Sequence, residues 1–309
     1  MKVLIKTNNL TREEWLKCRT KGIGGSDVSV IAGLNKFKSV FQLWLEKTGQ
    51  AEPDEDGNDY TYFGTVLEPV VKKEFTRRTG LKVRAKRMLL QSEEYPFMLA
   101  DLDGVINEDG KLCIFEAKTA SAYKQEIWEK GVPEEYQLQV QHYMAVTGAE
   151  KTYIAALVGG NHFYYHTVYR DNELIELIID LEKKFWEKNV LQNVEPMPDG
   201  SDATTNFLNE KYSISNGMSI ELPEHALDLC NQYEQLADEI DSLKEQKEAV
   251  ANQLKNFLKD NESGTVGGRK VTWKQITTTS FDRKRFEKEN KEIYDAYTTK
   301  SHYRRLSVA

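Results

Sequence analysis

The chain has 309 residues, 39% of them hydrophobic and five of them tryptophan, enough for one large α/β domain or a core domain with an appendage. A formal net charge of −7 argues against a general nucleic-acid coat protein. The three cysteines (Cys18, Cys113, Cys230) give neither a disulfide framework nor a zinc spacing, and no apolar run is long enough for a membrane span. The first residues, MKVLIKTNN, do not read as a signal peptide, so a reducing, cytoplasmic setting is expected. Charge is segregated: residues 72–87 hold eight bases and one acid, residues 261–309 eleven bases and six acids, and residues 52–59 five acids and no base. Such a distribution fits local phosphate binding on an otherwise acidic body.

Thr11 to Lys17 reads as a short helix with Thr11 as N-cap and Glu14 completing a capping box. The following stretch, RTKGIGGSD from Arg19 to Asp27, has three glycines that allow close backbone approach, with Ser26 placed to cap the next helix. A hydroxyl, an arginine and spare backbone N–H groups suit a phosphate, a plain serine-capped loop being the simpler reading. The Gly-Lys-Ser/Thr ending of a Walker A loop is missing. Val40 to Thr48 reads as an amphipathic helix and the acidic stretch at 52–59 as a solvated loop. Tyr62 to Thr79 reads as a long helix ended by Gly80, with an apolar stripe of Phe63, Leu67, Val70, Val71 and Phe75. Glu68 borders the stripe, Gly64 leaves room beside it one turn earlier, and Pro69 can kink the helix. Lys82 to Gln91 reads as a strand on which Lys82, Arg84 and Lys86 share a face, either a solvated edge or a DNA-backbone contact.

Leu99 to Thr119, LADLDGVINEDGKLCIFEAKT, is the stretch around which the chain is organised. Asp109-Gly110 predicts a hairpin turn between two apolar strands. On the second strand Glu116 and Lys118 share one face, with Phe115 and Ala117 on the other, and Asp103 on the neighbouring strand reaches the same spot. Two carboxylates and an ammonium on a half-buried sheet are costly for structure alone, although a Glu/Lys pair on a surface strand accounts for the tripeptide by itself. A hard divalent cation, Mg²⁺ or Mn²⁺, offsets that cost, and the lysine can orient or deprotonate a water. Asp101 rivals Asp103, since strand parity puts both on one face.

A short helix near Tyr123 to Lys130 precedes a helix from Pro133, at its first position, to Thr147, ended by Gly148 and carrying Gln137, Gln139, Gln141 and His142. These glutamines read either as ordinary helix surface or, for one of them, as a holder of a water or a scissile phosphate. Thr152 to Arg170 reads as a hairpin around Gly159-Gly160, its His162 and His166 lacking ligand spacing, and Asp171 caps a helix to about Asn189. The expected organisation is a core at 1–195, a linker at 196–221, a heptad-patterned long helix at 222–260 and a small basic extension at 261–309. The heptad repeats Leu222, Leu229, Leu236, Leu243, Val250 and Phe257, with Ala226, Tyr233, Ile240 and Leu254 as companions and Lys247 as the break. The extension reads as a strand and a final amphipathic helix.

The Asp followed by Glu-x-Lys resembles the PD-(D/E)xK nuclease signature. With Arg19 and GIGGSD, FGTVLEP, LADLDG, FEAKT and YQLQVQHYMAVTG falling in order, residues 12–190 resemble the YqaJ-type viral recombinase family, phage alkaline exonucleases of the lambda-exonuclease type. The resemblance implies an α/β restriction-endonuclease-like core, a mixed β-sheet flanked by helices, and a metal-dependent 5′→3′ exonuclease acting on linear double-stranded DNA in recombination. It further implies Asp103, Glu116, the Ala117 carbonyl and Glu68 at the metal, Lys118 as catalytic lysine, Gln139 as its support, and Arg19 and Ser26 around a 5′ phosphate. Two Mg²⁺ ions, with Mn²⁺ as a substitute, a single-strand annealing partner and a homo-oligomer, a ring among the possible forms, belong to the same expectation. Leu102 departs from the proline of the signature. The alternatives are a restriction-like endonuclease and a non-catalytic DNA-binding recombination module.

Overall fold

Thr11 and Glu14 exchange both bonds of a capping box (Glu14 N–H to Thr11 Oγ1, 3.2 Å; Thr11 N–H to Glu14 Oε2, 2.8 Å), which starts helix α1 (Arg12–Arg19) after strand β1 (Lys2–Lys6). The computed structural model describes residues 1–51, 59–300 and 302–308; of the acidic stretch, 52–58 lies outside the described residues. The chain divides into two units, Met1–Leu208 and Asn209–Ala309.

The first unit is α/β. Helices α2 (Gly25–Ile31), α3 (Val40–Lys47) and α4 (Asp59–Thr79) precede most of its strands. Strands β2 (Ile23–Gly24), β3 (Met88–Gln91) and β4 (Met98–Asp101) join β1 in a four-stranded sheet of order β1-β3-β4-β2, in which only β2 and β4 pair in parallel. Strands β5 (Gly104–Glu108), β6 (Lys111–Ala120), β7 (Lys151–Val158) and β8 (His162–Tyr169) form a second, mixed sheet in that order, its β6–β7 pair parallel. The β5–β6 turn is made by Asp109 and Gly110, both at positive φ (50° and 82°). Helices α5 (Gln125–Lys130), α6 (Glu134–Thr147) and α7 (Asn172–Lys184) complete the layers, α7 running on as a π-helical segment, Phe185–Leu191.

Alternation along β6 sorts the core. Ile114, with Ile154 and Ala156, packs with Val140 and Met144 of α6, whereas Cys113 and Phe115, with Tyr153 and Ala155, pack with Val71 and Phe75 of α4. Parity therefore sets Glu116 and Lys118 on the α6 side of the sheet.

Several expectations are corrected. MLADLDGVI is not one strand: β4 ends at Asp101 in one sheet and β5 begins at Gly104 in the other, so Asp103 lies at the step between sheets, beside the buried Leu102. The parity tie between Asp101 and Asp103 dissolves with that break. Only Met88–Gln91 of the Lys82 segment is a strand; Arg84 makes an isolated antiparallel bridge to Val105. Ser26 does not cap α2, because Gly24 is the cap residue and its N–H is taken by the Asp27 carboxylate (2.9 Å). Pro133 caps α6 from outside rather than opening it. On α4 Val71 and Phe75 are buried but Phe63 and Val70 are about half exposed (52% and 51%), so only the last members of the stripe reach the core. Within the expected linker, Asp202–Lys211 forms helix α8, whose Phe207 packs on Phe41.

In the second unit, α9 (Ala226–Leu258) is a 33-residue helix that begins after Leu222, with Leu229, Leu236, Leu243, Val250 and Phe257 all exposed. The single expected strand is a hairpin, β9 (Ser263–Val266) and β10 (Arg269–Thr272), turning at Gly267-Gly268. Asn290, at φ −139°, divides the expected final helix into α10 (Arg283–Glu289) and α11 (Lys291–Tyr297). Among the described residues no helix is long and apolar enough to cross a membrane.

Candidate active site

Glu116 is buried, and its Oε1 accepts from Lys118 Nζ (2.7 Å) and Gln139 Nε2 (2.8 Å). Gln139 Oε1 in turn accepts from Lys118 (3.0 Å), closing a triangle between β6 and α6. The Gln139 amide also donates to Tyr143 Oη (3.0 Å), one helical turn on. That turn can pack so closely because residue 25 is glycine: a Cβ there would lie 2.5 Å from the Tyr143 ring. Asp103 Oδ2 accepts the Ala117 N–H (2.8 Å), which fixes the inter-sheet step against β6. Asp101 instead accepts from the Trp15 indole (2.7 Å).

Burial and the adjacent Glu116 carboxylate push the Asp103 carboxyl well above its usual range. Burial likewise raises Glu116, the Lys118 charge opposing it only in part. For Lys118 burial works downward, but Glu116 and Asp103 outweigh it, so the ammonium is held on. Lys118 is thereby held against Glu116 and Gln139, where it can orient or deprotonate a water.

One cleft of about 460 Å³ has Glu116, Asp103, Asp101, Glu68 and Gln139 in its lining, together with Arg19 and Ser26. A neighbouring cleft of about 370 Å³ shares Arg19, Glu68, Asp103 and Glu116 and adds Ala117, Lys118 and Gly64. Glu68 is paired with Lys72 one turn along α4. Arg19 Nη2 donates to Ser26 Oγ (2.8 Å), and the guanidinium lies over the Trp15 ring (4.9 Å to its centroid). Of the expected DNA-backbone residues, Lys86 lines the larger cleft, beside Arg87; Lys82 and Arg84 are exposed and do not. Gln141 ties Tyr169 and Asp171, and His142 is buried between Glu182 and the Leu99 carbonyl.

Sequence reasoning passed over Trp15, Tyr143, Asp27 and Lys47. Two of these carry a signal in retrospect: Trp15 stands four residues before Arg19 on α1, and Tyr143 four after Gln139 on α6. Asp27 lies within GIGGSD, and Lys47 has no local cue.

Among the described residues, no group of three or more His, Cys, Asp or Glu side chains is arranged to hold a metal ion. The donor set nevertheless fits a hard cation that uses one or two carboxylates and keeps several waters, as Mg²⁺ does. Glu116 Oε2 is buried without a hydrogen-bond partner. Glu46 and Glu182 also leave one oxygen unpartnered, but neither lines these two clefts. The orphaned oxygen and the raised neighbouring Asp103 together describe a place short of positive charge.

Residues 14–150 match the YqaJ-like viral recombinase domain. The chain is 40% identical over 310 residues to a Bacillus subtilis (strain 168) protein described as uncharacterized protein YqaJ, across 99% of this chain and 97% of that one. Among solved structures, it is similar to an alkaline exonuclease (LHK-Exo) from Laribacter hongkongensis: 22% identity, TM-score 0.49, 57% of this chain and 91% of that one. A phage-related exonuclease from Haemophilus somnus 129PT gives 16% identity, TM-score 0.43, and 56% and 96% coverage.

Proposed function

Because the chain belongs to the YqaJ-like viral recombinase family, we propose that it is a metal-dependent deoxyribonuclease that resects linear double-stranded DNA from its ends, in the 5′→3′ direction. The observation that carries this reading is Glu116: a buried carboxylate held by Lys118 and Gln139, its second oxygen unpartnered in a cleft that also contains Asp103. Asp103, Glu116, the Ala117 carbonyl and Glu68 would hold Mg²⁺, two ions in this proposal, with Mn²⁺ as a substitute. When bound, the metal polarises a phosphate oxygen and lowers the pKa of a water.

The chain's own residues do the rest. Lys118 sits where it can orient or deprotonate the attacking water, and Gln139 keeps Lys118 and Glu116 in register. Arg19 and Ser26 receive the terminal 5′ phosphate, which sets polarity by fixing how far the strand enters. Lys86 and Arg87 line the same cleft and suit the DNA backbone. Family membership extends the proposal to a single-strand annealing partner and a homo-oligomer.

The test uses linear duplex labelled at either end and covalently closed circular DNA, each with Mg²⁺, with Mn²⁺ and with chelator. Loss of label from the 5′ end first, with circles intact, supports the proposal. Cutting of closed circles would replace it with an endonuclease, and metal-independent binding without cleavage would replace it with a DNA-binding module.

A further inference from the structure

Helix α3 ends in a lysine that reaches back to the anion pocket. Lys47, its side chain 4% exposed, places Nζ 2.7 Å from Asp27 Oδ2 and donates to the Arg19 carbonyl oxygen (2.9 Å). Asp27, 7% exposed, has its other oxygen 3.7 Å from the Arg19 guanidinium. Lys38 pairs with Glu46, which belongs to the same helix as Lys47.

This placement carries an electrostatic conflict. A buried carboxylate beside the arginine meant to receive a phosphate repels that phosphate and competes for the guanidinium. Lys47 resolves the conflict by taking the Asp27 charge at short range. The guanidinium is thereby left bonded to neutral Ser26, stacked on Trp15, with donors to spare. The backbone bond to the Arg19 carbonyl fixes the end of α1 from which that side chain departs.

We infer that Lys47 is a positioning residue for the Arg19–Ser26 pocket: by neutralising Asp27 and tethering the Arg19 backbone, it keeps the guanidinium free for a terminal phosphate. The inference rests on reading that pocket as the 5′-phosphate site of a nuclease.

The test compares duplexes bearing a 5′ phosphate or a 5′ hydroxyl, in wild type, Lys47→Met, Asp27→Asn and the double variant, each also placed in a Glu116→Gln background for binding without cleavage. Lys47→Met should lower the phosphate-to-hydroxyl affinity ratio by about tenfold, since the bond from Arg19 to the phosphate is charge-assisted, and should act on KM more than on kcat. The double variant should regain most of the ratio, because no buried carboxylate then captures Arg19. A structural role alone slows both substrates alike and gives no such recovery. If Lys47→Met does not fold, Lys47→Arg should retain the preference, and the neutral double variant carries the comparison.

An unchanged ratio in Lys47→Met, or a double variant no better than the single, overturns the inference while a wild-type phosphate preference leaves the pocket standing. Absence of any preference in wild type, with Arg19→Ala neutral, overturns the pocket itself and the inference with it.

Discussion

Two buried acidic sites in the first unit end on opposite sides of the ordinary carboxylate range. Burial alone raises both, but at Asp27 the charges of Lys47, Arg19 and Lys38 overcome it and hold the carboxyl far below its usual range. At Asp103 and Glu116 a single cation, Lys118, faces a group of carboxylates that includes Glu68 and Asp101, and both acids stay raised. Asp27 belongs to a completed ion network; Glu116 keeps one buried oxygen without a partner and, with Asp103, lines a cleft. A buried carboxylate with a raised carboxyl marks a candidate metal position only where it also lines a cleft shared with other carboxylates, as Glu116 does and Glu46 and Glu182 do not.

The contrast between the two sites is most exposed to disproof at Glu116. Glu116→Gln keeps the volume and removes the charge, so digestion of linear duplex should fall by on the order of a thousandfold or more while the melting temperature holds or rises. Lys118→Ala should be comparably severe, and Asp103→Asn likewise, whereas Asp101→Asn, whose partner is the Trp15 indole, should be milder. A near-normal rate in Glu116→Gln would remove the site from the chemistry. Arg19→Ala comes next: loss of a charge-assisted bond of about 1.5–3 kcal/mol should cut the preference for a 5′ phosphate by about tenfold or more. Equal slowing on phosphate and hydroxyl ends would show Arg19 to be structural.

The site was legible in sequence to the extent that it rests on short-range periodicity. Period two put Glu116 and Lys118 on one face, and their 2.7 Å bond follows from that spacing. The Asp109-Gly110 turn and the Thr11 cap were equally readable, since local geometry decides them. The break at Leu102–Asp103 was not: an apolar run with the composition of one strand is divided between two sheets by tertiary packing. Lys47 was invisible for the same reason, its partner Asp27 lying twenty positions away on another helix. The apolar stripe on α4 misled because only Val71 and Phe75 meet the sheet, against Phe115 and Tyr153, while Phe63 and Val70 stay about half exposed.

A gentler test uses pH and metal without catalysis. Asp103 and Glu116 have folded pKa values above their ordinary ones, so their contribution to stability is complete below the ordinary carboxylate range and is lost as pH rises through the raised values. Asp27 has the reverse sign: its contribution is present above the ordinary aspartate range and lost only as pH falls below it. Metal-free protein should therefore lose stability from the Asp103–Glu116 site as pH rises toward neutrality, and Mg²⁺ should restore it increasingly over the same interval. At about ten times its Kd the ion contributes about 1.4 kcal/mol, a rise in melting temperature of about 3–6 °C for a unit of this size. Glu116→Gln should suppress most of that rise and Asp27→Asn should not. A Mg²⁺ shift independent of pH and insensitive to Glu116 would place the ion elsewhere.

The smallest expected effect distinguishes an open cleft from one merely lined by small residues. Gly64 lies one turn before Glu68 on α4 and lines the cleft that holds Asp103, Glu116 and Lys118. A Cβ at this position would meet only Thr119 Oγ1, at an ordinary 3.8 Å, so the fold itself does not require glycine. Replacing an interior helical glycine by alanine reduces the entropy lost on folding, and Gly64→Ala should stabilise the protein by about 0.5–1 kcal/mol. Its effect on digestion then reports what passes the site. If DNA or its metal occupies the space beside Glu68, the methyl group intrudes on substrate, and the variant should be more stable yet slower, mainly through KM. If the rate is unchanged, substrate approaches the carboxylates through the other cleft, past Ser26 and Lys86. Stability and activity moving in opposite directions cannot come from damage to the core, which is why so small a substitution can locate the strand.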